Sequence, residues 1–289
     1  MRIRFFALAA LALLLGACTQ DEAGFLPEGA EGTPIVFTAT GLNPAATATA
    51  GTRAPVDGNW EGVQSVAVLM DGTVKNVVME GVQITSNQIY GGSIGGVVGY
   101  SWGTIENCSV SGSVSGTVYV GGVVGAQIGG SITGCSSSAT VKGTVDVGGV
   151  AGQTNSSATL TACYATGNVI IEINPKKNIA GGSLVGMNAG SSLLACYATG
   201  NVTSTGSSTG KVHIGGFLGN NYTTVTACYW KNNHEQGIGY NRESTGATKV
   251  DGSVVTWQKA VDAMNTALQN AGSEWRYELK GALPTLRKQ

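Results

Sequence analysis

The sequence has few charged side chains and only two histidines. Charged residues make up 11% of its 289 residues, the formal net charge is −1, and the histidines are His213 and His234. A chain without a basic cluster lacks the electrostatic attraction to phosphate that nucleic-acid binding requires. The cysteine and histidine spacings match no zinc pattern, and His234-Glu235 lacks the second histidine of an HExxH metalloprotease motif. We therefore predict no nucleic-acid partner, no metal ion and no other cofactor.

The apolar run near the N-terminus is too short to cross a bilayer. It extends from Phe5 to Leu15 and closes as Leu-Gly-Ala-Cys at Cys18. About eleven residues fall short of the ~20 that a membrane-spanning helix needs, so the run indicates a cleaved export signal. The closing residues resemble the bacterial lipobox. This resemblance implies a lipoprotein signal peptide at residues 1–17 and attachment to a membrane through a lipid on Cys18. The alternative is an ordinary secretory signal with a chance cysteine.

Two acidic residues follow this cysteine, in the stretch Thr19-Gln20-Asp21-Glu22. The stretch resembles the acidic signal that sends lipoproteins of some Gram-negative anaerobes to the outer face of the outer membrane. The resemblance implies a lipid-anchored, cell-surface location, with residues 18–34 as a lipidated flexible tether. The alternative is a polar tether that leaves the protein on the periplasmic side.

Glycine is unusually frequent, with 45 residues, and much of it belongs to an internal repeat. Five copies of a motif close to Gly-Gly-apolar-apolar-Gly recur at intervals of 26 to 34 residues. They begin at Gly95, Gly121, Gly148, Gly182 and Gly215. A cysteine follows each copy after nine to eleven residues, and an incomplete earlier copy at Gly72 has Val77 in the cysteine position. These cysteines are Cys108, Cys135, Cys163, Cys196 and Cys228.

Apolar residues recur at fixed distances from each cysteine. One stands three positions before it, and in four copies a valine stands six positions after it. These residues are Ile105, Ile132, Leu160, Leu193 and Val225 before the cysteines, and Val114, Val141, Val169 and Val202 after them. Because side chains alternate along a strand, the cysteine and the valine share a face, whereas the preceding apolar residue is out of phase and indicates a corner. We predict an all-β parallel β-helix (β-solenoid) of about six rungs over residues 71–231.

The repeat cysteines do not fit a disulfide framework. They are odd in number, and Val77 takes the same position in the first rung. We predict a ladder of reduced thiols that act as small core side chains.

The repeat also has a family likeness. Gly-Gly-[Leu/Val/Phe]-[Val/Leu]-Gly, with Asn/Ala-Cys-Tyr-x-x-Gly-Asn-Val downstream, resembles the GLUG motif over about residues 72–231. That motif occurs in bacterial surface adhesins and beside the catalytic domain of streptococcal immunoglobulin A peptidases. The resemblance implies a non-catalytic binding protein, since no peptidase motif is present.

A shorter likeness covers residues 35–70. Ile35-Val36-Phe37-Thr38-Ala39 and Trp60 resemble the opening of fimbrillin-like lipoproteins, and we interpret this stretch as an N-terminal cap. Arg53 lies where such proteins are trimmed by an arginine-specific protease, although a linker arginine is the simpler interpretation.

The composition changes after Trp230, and residues 232–289 are predicted to form a C-terminal capping unit. Between Thr256 and Gln269 the apolar residues fall on one helical face. Thr256 is suited to begin this helix and Gly272 to end it. We expect the unit to cover the open end of the solenoid, where unpaired strand edges otherwise invite aggregation.

Enzymes that degrade polysaccharides with a β-helix fold are the main catalytic alternative. They use clustered carboxylates, or basic residues with calcium, in a groove along the rod. Between residues 91 and 230 the only acids are Glu106, Asp146 and Glu172, and they share no repeat register. We therefore predict no catalytic residues and no enzyme activity.

A tyrosine follows the cysteine in three copies, and alternation turns it outward. Tyr164, Tyr197 and Tyr229, extended by Trp230, form a candidate binding stripe for a host or microbial glycan or protein. The alternative is that the tyrosines shield the sheet or lie under the cap. The sequence thus favours a cell-surface adhesin-like binding protein, with a structural spacer or accessory subunit of a surface assembly as the second possibility.

Overall fold

The structure, a computed structural model, describes residues 72–86, 92–243 and 246–289, together with three short strands that precede them. Within this part the chain winds as a parallel β-solenoid with three faces. We number the sheets in the order in which each turn visits them. Sheet 1 has five strands, one from each complete turn, so the described chain makes five complete turns with a partial turn at each end. The predicted fold class is confirmed.

The strands follow one another in the same order in every turn. Before the first complete turn come β1 (Ile35–Val36), β2 (Asn59–Glu61), β3 (Val68–Leu69), β4 (Thr73–Lys75) and β5 (Val78–Thr85). The first turn holds β6 (Ser93–Gly95), β7 (Val98–Ser101), β8 (Thr104–Glu106) and β9 (Ser109–Ser115). The second holds β10 (Tyr119–Gly121), β11 (Val124–Thr133), β12 (Ser136–Ser137) and β13 (Thr140–Gly143). The third holds β14 (Asp146–Gly148), β15 (Ala151–Thr161), β16 (Tyr164–Ala165) and β17 (Val169–Glu172).

The later turns repeat this pattern. The fourth holds β18 (Ile179–Gly182), β19 (Val185–Ala189), β20 (Ser192–Leu194), β21 (Tyr197–Ala198) and β22 (Val202–Thr205). The fifth holds β23 (Val212–Gly215), β24 (Leu218–Asn221), β25 (Val225–Thr226) and β26 (Tyr229–Trp230). A partial sixth turn holds β27 (Ile238–Asn241) and β28 (Thr248–Lys249). The chain ends with helix α1 (Trp257–Asn270) and an antiparallel hairpin of β29 (Trp275–Leu279) and β30 (Pro284–Lys288).

Each strand from β1 to β28 belongs to one of the three sheets of the solenoid. Sheet 1 contains β6, β10, β14, β18 and β23. Sheet 2 contains β1, β3, β4, β7, β8, β11, β15, β19, β20, β24, β25 and β27. Sheet 3 contains β2, β5, β9, β12, β13, β16, β17, β21, β22, β26 and β28.

The glycine motif forms the corner between sheets 1 and 2. In the second turn Gly121 ends β10 and Val124 begins β11, so the turn occupies only the two residues between them. A Cβ on Gly122 would lie 2.1 Å from the carbonyl oxygen of Gly149 and from the hydroxyl of Ser137. Because a larger residue has no room there, the motif needs glycine to let successive turns approach each other.

The second corner, between sheets 2 and 3, lies where the sequence predicts it. The residue before each repeat cysteine adopts a left-handed conformation, with φ between 48° and 64°. These residues are Asn107, Gly134, Ala162, Ala195 and Ala227. Asn76 has φ 59° before Val77 in the partial first turn. The left-handed residue turns the chain sharply and shifts the phase of the alternation, so residues on both sides of the corner point inward.

Columns of like residues fill the interior. Ile105, Ile132, Leu160 and Leu193 pair in register on successive turns of sheet 2, with Val74 before them and Val225 after them. On sheet 3, Val114, Val141, Val169 and Val202 pair in the same way and continue Ile84. All of these side chains are buried. Burial of each contributes roughly 1.5–3 kcal/mol, so the solenoid is stabilised by stacking identical positions.

The five repeat cysteines are buried, and none is in a disulfide. Each thiol donates to the carbonyl oxygen two residues earlier, on the other side of the corner, over 3.3 to 3.4 Å. Burial raises the pKa of the Cys163 thiol well above its ordinary value. The thiols therefore pack as neutral core groups that also satisfy a carbonyl at each corner.

A second interior column is polar, and the sequence patterns considered above do not single it out. It stands two residues after each closing glycine and pairs in register along sheet 2. Its buried members are Ser101, Gln127, Thr154, Asn188 and Asn221, and the exposed Asn241 of β27 continues the column. Asn188 Nδ2 donates to Asn221 Oδ1 at 2.8 Å, and Asn221 Nδ2 donates to Asn241 Oδ1 at 2.8 Å. The asparagine side chains thus hydrogen-bond to each other from one turn to the next, where the strands of sheet 2 bend, and so satisfy their own amide groups.

The two ends of the chain relate differently to the rod. Strands β1, β2 and β3 lie within the predicted N-terminal cap and extend sheets 2 and 3. Cys18 and Arg53 lie outside the described residues. At the other end β27 and β28 extend the same two sheets.

The helix and hairpin do not cover the open end. They pack along the side of the rod, where Trp275 lies against Gly134 and Lys288 reaches Glu106 of the first turn. The prediction that residues 232–289 form one capping unit over the end therefore does not describe α1, β29 and β30. The apolar face of α1 has an outward aromatic column to pack against instead.

Candidate functional site

An outward column on sheet 3 contains the residue that follows each repeat cysteine. Val78, Ser109, Ser136, Tyr164, Tyr197 and Tyr229 pair in register along this column. The predicted alternation is present, because each cysteine points inward and the next residue points outward. The rings of Tyr164 and Tyr197 stack with centroids 4.9 Å apart and planes 2° from parallel.

The middle tyrosine is covered by the C-terminal helix and hairpin. Tyr197 is only 1% exposed. Its ring meets Trp257 edge-on at 5.3 Å and Tyr277 at 5.7 Å. Its hydroxyl donates to the carbonyl oxygen of Pro284 at 2.6 Å, and the Tyr277 hydroxyl donates to the carbonyl oxygen of Ala195 at 3.0 Å. Tyr229 is half-buried against the same helix and hairpin. The stripe is therefore not a continuous free surface.

Trp230 does not extend the stripe. It is 2% exposed and belongs to the interior core of the solenoid. The prediction is wrong because Trp230 follows Tyr229 directly, and alternation turns the two side chains to opposite faces. Lys249 Nζ lies 4.9 Å from the centre of the Trp230 ring, where the partial sixth turn covers it.

Tyr164 stands at the edge of the covered region and borders an open groove. Two depressions of about 270 and 240 Å³ adjoin there, and both are lined by Val78, Ser109, Ser136 and Tyr164. The first is also lined by Ser111, Ser138 and Thr166, and the second by Trp275 and Leu286 of the C-terminal hairpin. We call these two depressions the groove.

The groove combines an aromatic ring with a row of hydroxyl groups. Ser109 and Ser136 precede Tyr164 in the same column, and Ser138 and Thr166 lie further along the same strands or just beyond them. Aromatic rings offer flat apolar faces, and hydroxyls both donate and accept hydrogen bonds. This combination suits a sugar ring, which has apolar C–H faces and a polar edge. Glu80 is the one carboxylate among the lining residues, whereas glycoside hydrolysis ordinarily needs two.

The three acids between residues 91 and 230 lie on three different sheets. Glu106, at the end of β8, contacts Lys75 at 2.6 Å and Lys288 at 2.9 Å, and hydrogen bonds from these two lysines hold its pKa below the ordinary value. Glu172, on sheet 3, contacts Lys142 at 2.8 Å. Asp146 is on sheet 1, where burial raises its pKa to about 7. The structure does not bring these carboxylates together.

Two further features concern the described residues as a whole. In that part of the chain, no group of three or more histidine, cysteine or acidic side chains is placed to hold a metal ion. No helix there is long and apolar enough to cross a membrane.

The serines of the groove were not predicted from the sequence, although their position in the repeat could have identified them. Two of them, Ser109 and Ser136, occupy the position after Cys108 and Cys135, which is the tyrosine position of later copies. A single serine is not distinctive in a sequence where serine is common. Only its place in the same column as Tyr164 marks it as part of one surface.

Comparison with protein families supports the repeat directly. The family model of the GLUG motif matches residues 90–115 and 116–142. This chain is a GLUG-repeat protein. The two matches cover the first two complete turns of the solenoid, so each GLUG unit is one turn with its glycine corner and its cysteine corner. No curated protein and no solved structure matches the chain.

Proposed function

We propose that this GLUG-repeat protein is a lipid-anchored cell-surface binding protein, an adhesin, that holds a glycan in the groove beside Tyr164 and does not catalyse its cleavage. The lipobox-like residues ending at Cys18 support the anchor, and the repeat solenoid fits a surface protein. One observation supports the glycan: the Tyr164 ring borders two open depressions lined by serine and threonine hydroxyls.

The geometry of the stack explains why this tyrosine is suited to the task. One face of Tyr164 rests on Tyr197, which packs against Trp257 and Tyr277 and is hydrogen-bonded to Pro284. A ring fixed from one side loses little conformational freedom when a ligand stacks on it. On the side away from Tyr197 its neighbour in the column is the small Ser136, which leaves room above the sheet.

Replacing Tyr164 by alanine is expected to weaken glycan binding at least tenfold, about 1.4 kcal/mol, because the stacking platform is lost. The measurement is a glycan array followed by titration of the strongest ligand with the soluble protein. Tyr164→Phe removes only the hydroxyl and should retain most of the affinity. Tyr240→Ala is the matched control, since Tyr240 is an exposed tyrosine on another sheet.

Two outcomes would contradict the site. If Tyr164→Ala binds as tightly as the wild type while remaining folded, the groove is not where the glycan lies. If no glycan binds and a stoichiometric protein partner co-purifies, the alternative of an accessory subunit replaces the adhesin.

Replacing Cys18 by alanine is expected to move the protein from the membrane fraction to the soluble fraction, because the thiol that carries the lipid is absent. Immunoblots of fractionated cells measure this change. Protease treatment of intact cells should degrade the wild-type protein if it faces outward. Protection from protease would place it on the periplasmic side.

A further inference from the structure

On the outer surface of the solenoid, side chains of sheet 1 and sheet 2 meet along the corner that the glycine motif forms. His213 Nδ1 lies 2.5 Å from Asn220 Oδ1, seven residues later and on the other sheet, and the His213 ring stacks on Tyr240 at 5.1 Å. Residues seven apart thus face each other across the corner, and we call this line the seam. Its sheet 1 column is Ser93, Tyr119, Asp146, Ala180 and His213, and its sheet 2 column is Tyr100, Ala126, Gln153, Met187 and Asn220.

Asp146 is buried in the middle of the seam without a partner. It is 6% exposed, and no hydrogen bond or ion pair joins its carboxylate to any other described residue. Gln153, its counterpart across the corner, directs its amide nitrogen to the Met187 sulfur at 3.9 Å. A largely buried carboxylate without a donor destabilises the fold, since it has lost most of its hydration and gained no hydrogen bond. Such a group is more common at binding sites than at purely structural positions.

The charged side chains of the neighbouring strands do not compensate Asp146. Lys142 of β13 and Glu172 of β17 pair with each other on sheet 3. On sheet 1 the adjacent positions are Tyr119 on the preceding turn and Ala180 on the following one. None of the residues in the seam is lysine or arginine. The seam therefore presents negative charge with no lysine or arginine of its own.

The aromatic ring of Tyr119 adjoins this carboxylate on the side of the earlier turns. Tyr119 precedes Asp146 by one turn in the sheet 1 column, and Tyr100 lies one turn earlier still in the sheet 2 column. Burial is the main cause that raises the pKa of Tyr119. Tyr100 meets Trp102 edge-on with ring centres 4.7 Å apart, and Trp102 is 38% exposed. The faces of aromatic rings attract cations, most strongly where water is partly excluded.

The geometry points to a second binding site, in which Asp146 and the adjacent ring of Tyr119 hold an ammonium group. The carboxylate supplies the hydrogen-bond acceptor and the negative charge, and the Tyr119 ring packs against the attached carbon atoms. A lysine side chain of a protein and an amino sugar both carry this group. A metal ion fits less well, since no set of three ligand side chains is found among the described residues.

The test is a calorimetric titration of the soluble chain with n-butylamine at pH 8. Wild-type protein is expected to bind it saturably, and Asp146→Asn to bind it at least tenfold more weakly. Tyr119→Ala, which removes the ring next to Asp146 in the column, should also weaken binding. The neutral alcohol n-butanol should not bind. Lowering the pH from 8 to 6 should weaken amine binding, because Asp146 takes up a proton while the amine stays charged.

Two further titrations distinguish the source of the ammonium group. Nα-acetyl-lysinamide represents a protein lysine and glucosamine an amino sugar, and tighter binding of either one identifies the source. Tyr164→Ala should leave butylamine binding unchanged, because the groove lies on another sheet. Absence of saturable binding, or equal affinity in wild type and Asp146→Asn, would overturn the second site whatever the groove does.

Discussion

Replacing Asp146 by asparagine is expected to make the protein more stable at pH 8. In the folded protein the pKa of Asp146 is about 7, against an ordinary value of 3.8. The folded state therefore holds this proton more tightly than the unfolded state. The stability that the proton provides is complete below about pH 4 and is lost as the pH rises to about 7. Because a pKa difference of one corresponds to about 1.4 kcal/mol, the loss is about 4 kcal/mol.

Denaturant unfolding of both proteins at several pH values measures this effect. The free energy of unfolding of Asp146→Asn should exceed that of the wild type by an amount that grows between pH 4 and pH 7. Above pH 7 this difference should stay constant. Glu106→Gln is the matched control with the opposite sign. Lys75 and Lys288 lower the pKa of Glu106, so its stabilising contribution is present at neutral pH and is lost as the pH falls. A pH-independent difference for Asp146→Asn would show that the carboxylate has a partner or is open to water.

Replacing Trp257 by alanine is expected to destabilise the protein by about 3–5 kcal/mol, the usual cost of removing a buried tryptophan from a core. Trp257 begins α1, is 8% exposed and packs edge-on against Tyr197 of the solenoid. The lost stability should mainly affect the contact between α1 and sheet 3. Thermal unfolding measures the total, and limited proteolysis should release the C-terminal helix and hairpin before the solenoid is cut.

Val254→Ala is the control for this variant. Val254 lies three residues earlier and is 69% exposed, so its replacement should change stability by less than about 0.5 kcal/mol. Equal stability of Trp257→Ala and the wild type would mean that α1 does not pack against the tyrosine column.

The solenoid could be predicted because its information is repeated in every turn. The cysteine, the apolar residue before it and the valine after it occur at fixed distances, and a corner is the only arrangement that points all three inward. The left-handed backbone of Ala162 and Ala195 confirms that corner. The polar column was less visible, since serine, glutamine, threonine and asparagine share no single residue type across the turns.

Features that occur only once in the chain could not be predicted, because no repetition reveals them. The amphipathic face of α1 indicates that the helix packs on something, but it does not say whether that is the end or the side of the rod. The decisive contacts join Tyr197 to Pro284 and Ala195 to Tyr277, which are more than 80 residues apart in sequence. Likewise, no sequence pattern singles out Asp146. Only its position in the seam shows that its carboxylate has no hydrogen-bond partner among the described residues.

The side-packed position of the C-terminal helix and hairpin determines which part of the tyrosine column stays open, and carbodiimide cross-linking tests it most directly. Lys288 Nζ lies 2.9 Å from Glu106 Oε1, 182 residues away in sequence. Treatment of the folded protein should therefore yield a Lys288–Glu106 amide, detected by mass spectrometry of tryptic peptides, and Trp257→Ala should reduce its yield. If the helix and hairpin instead covered the open end, Glu106 would lie about four turns away, or about 19 Å. Cross-links from Lys288 only to acids near that end, such as Glu235, would contradict the account.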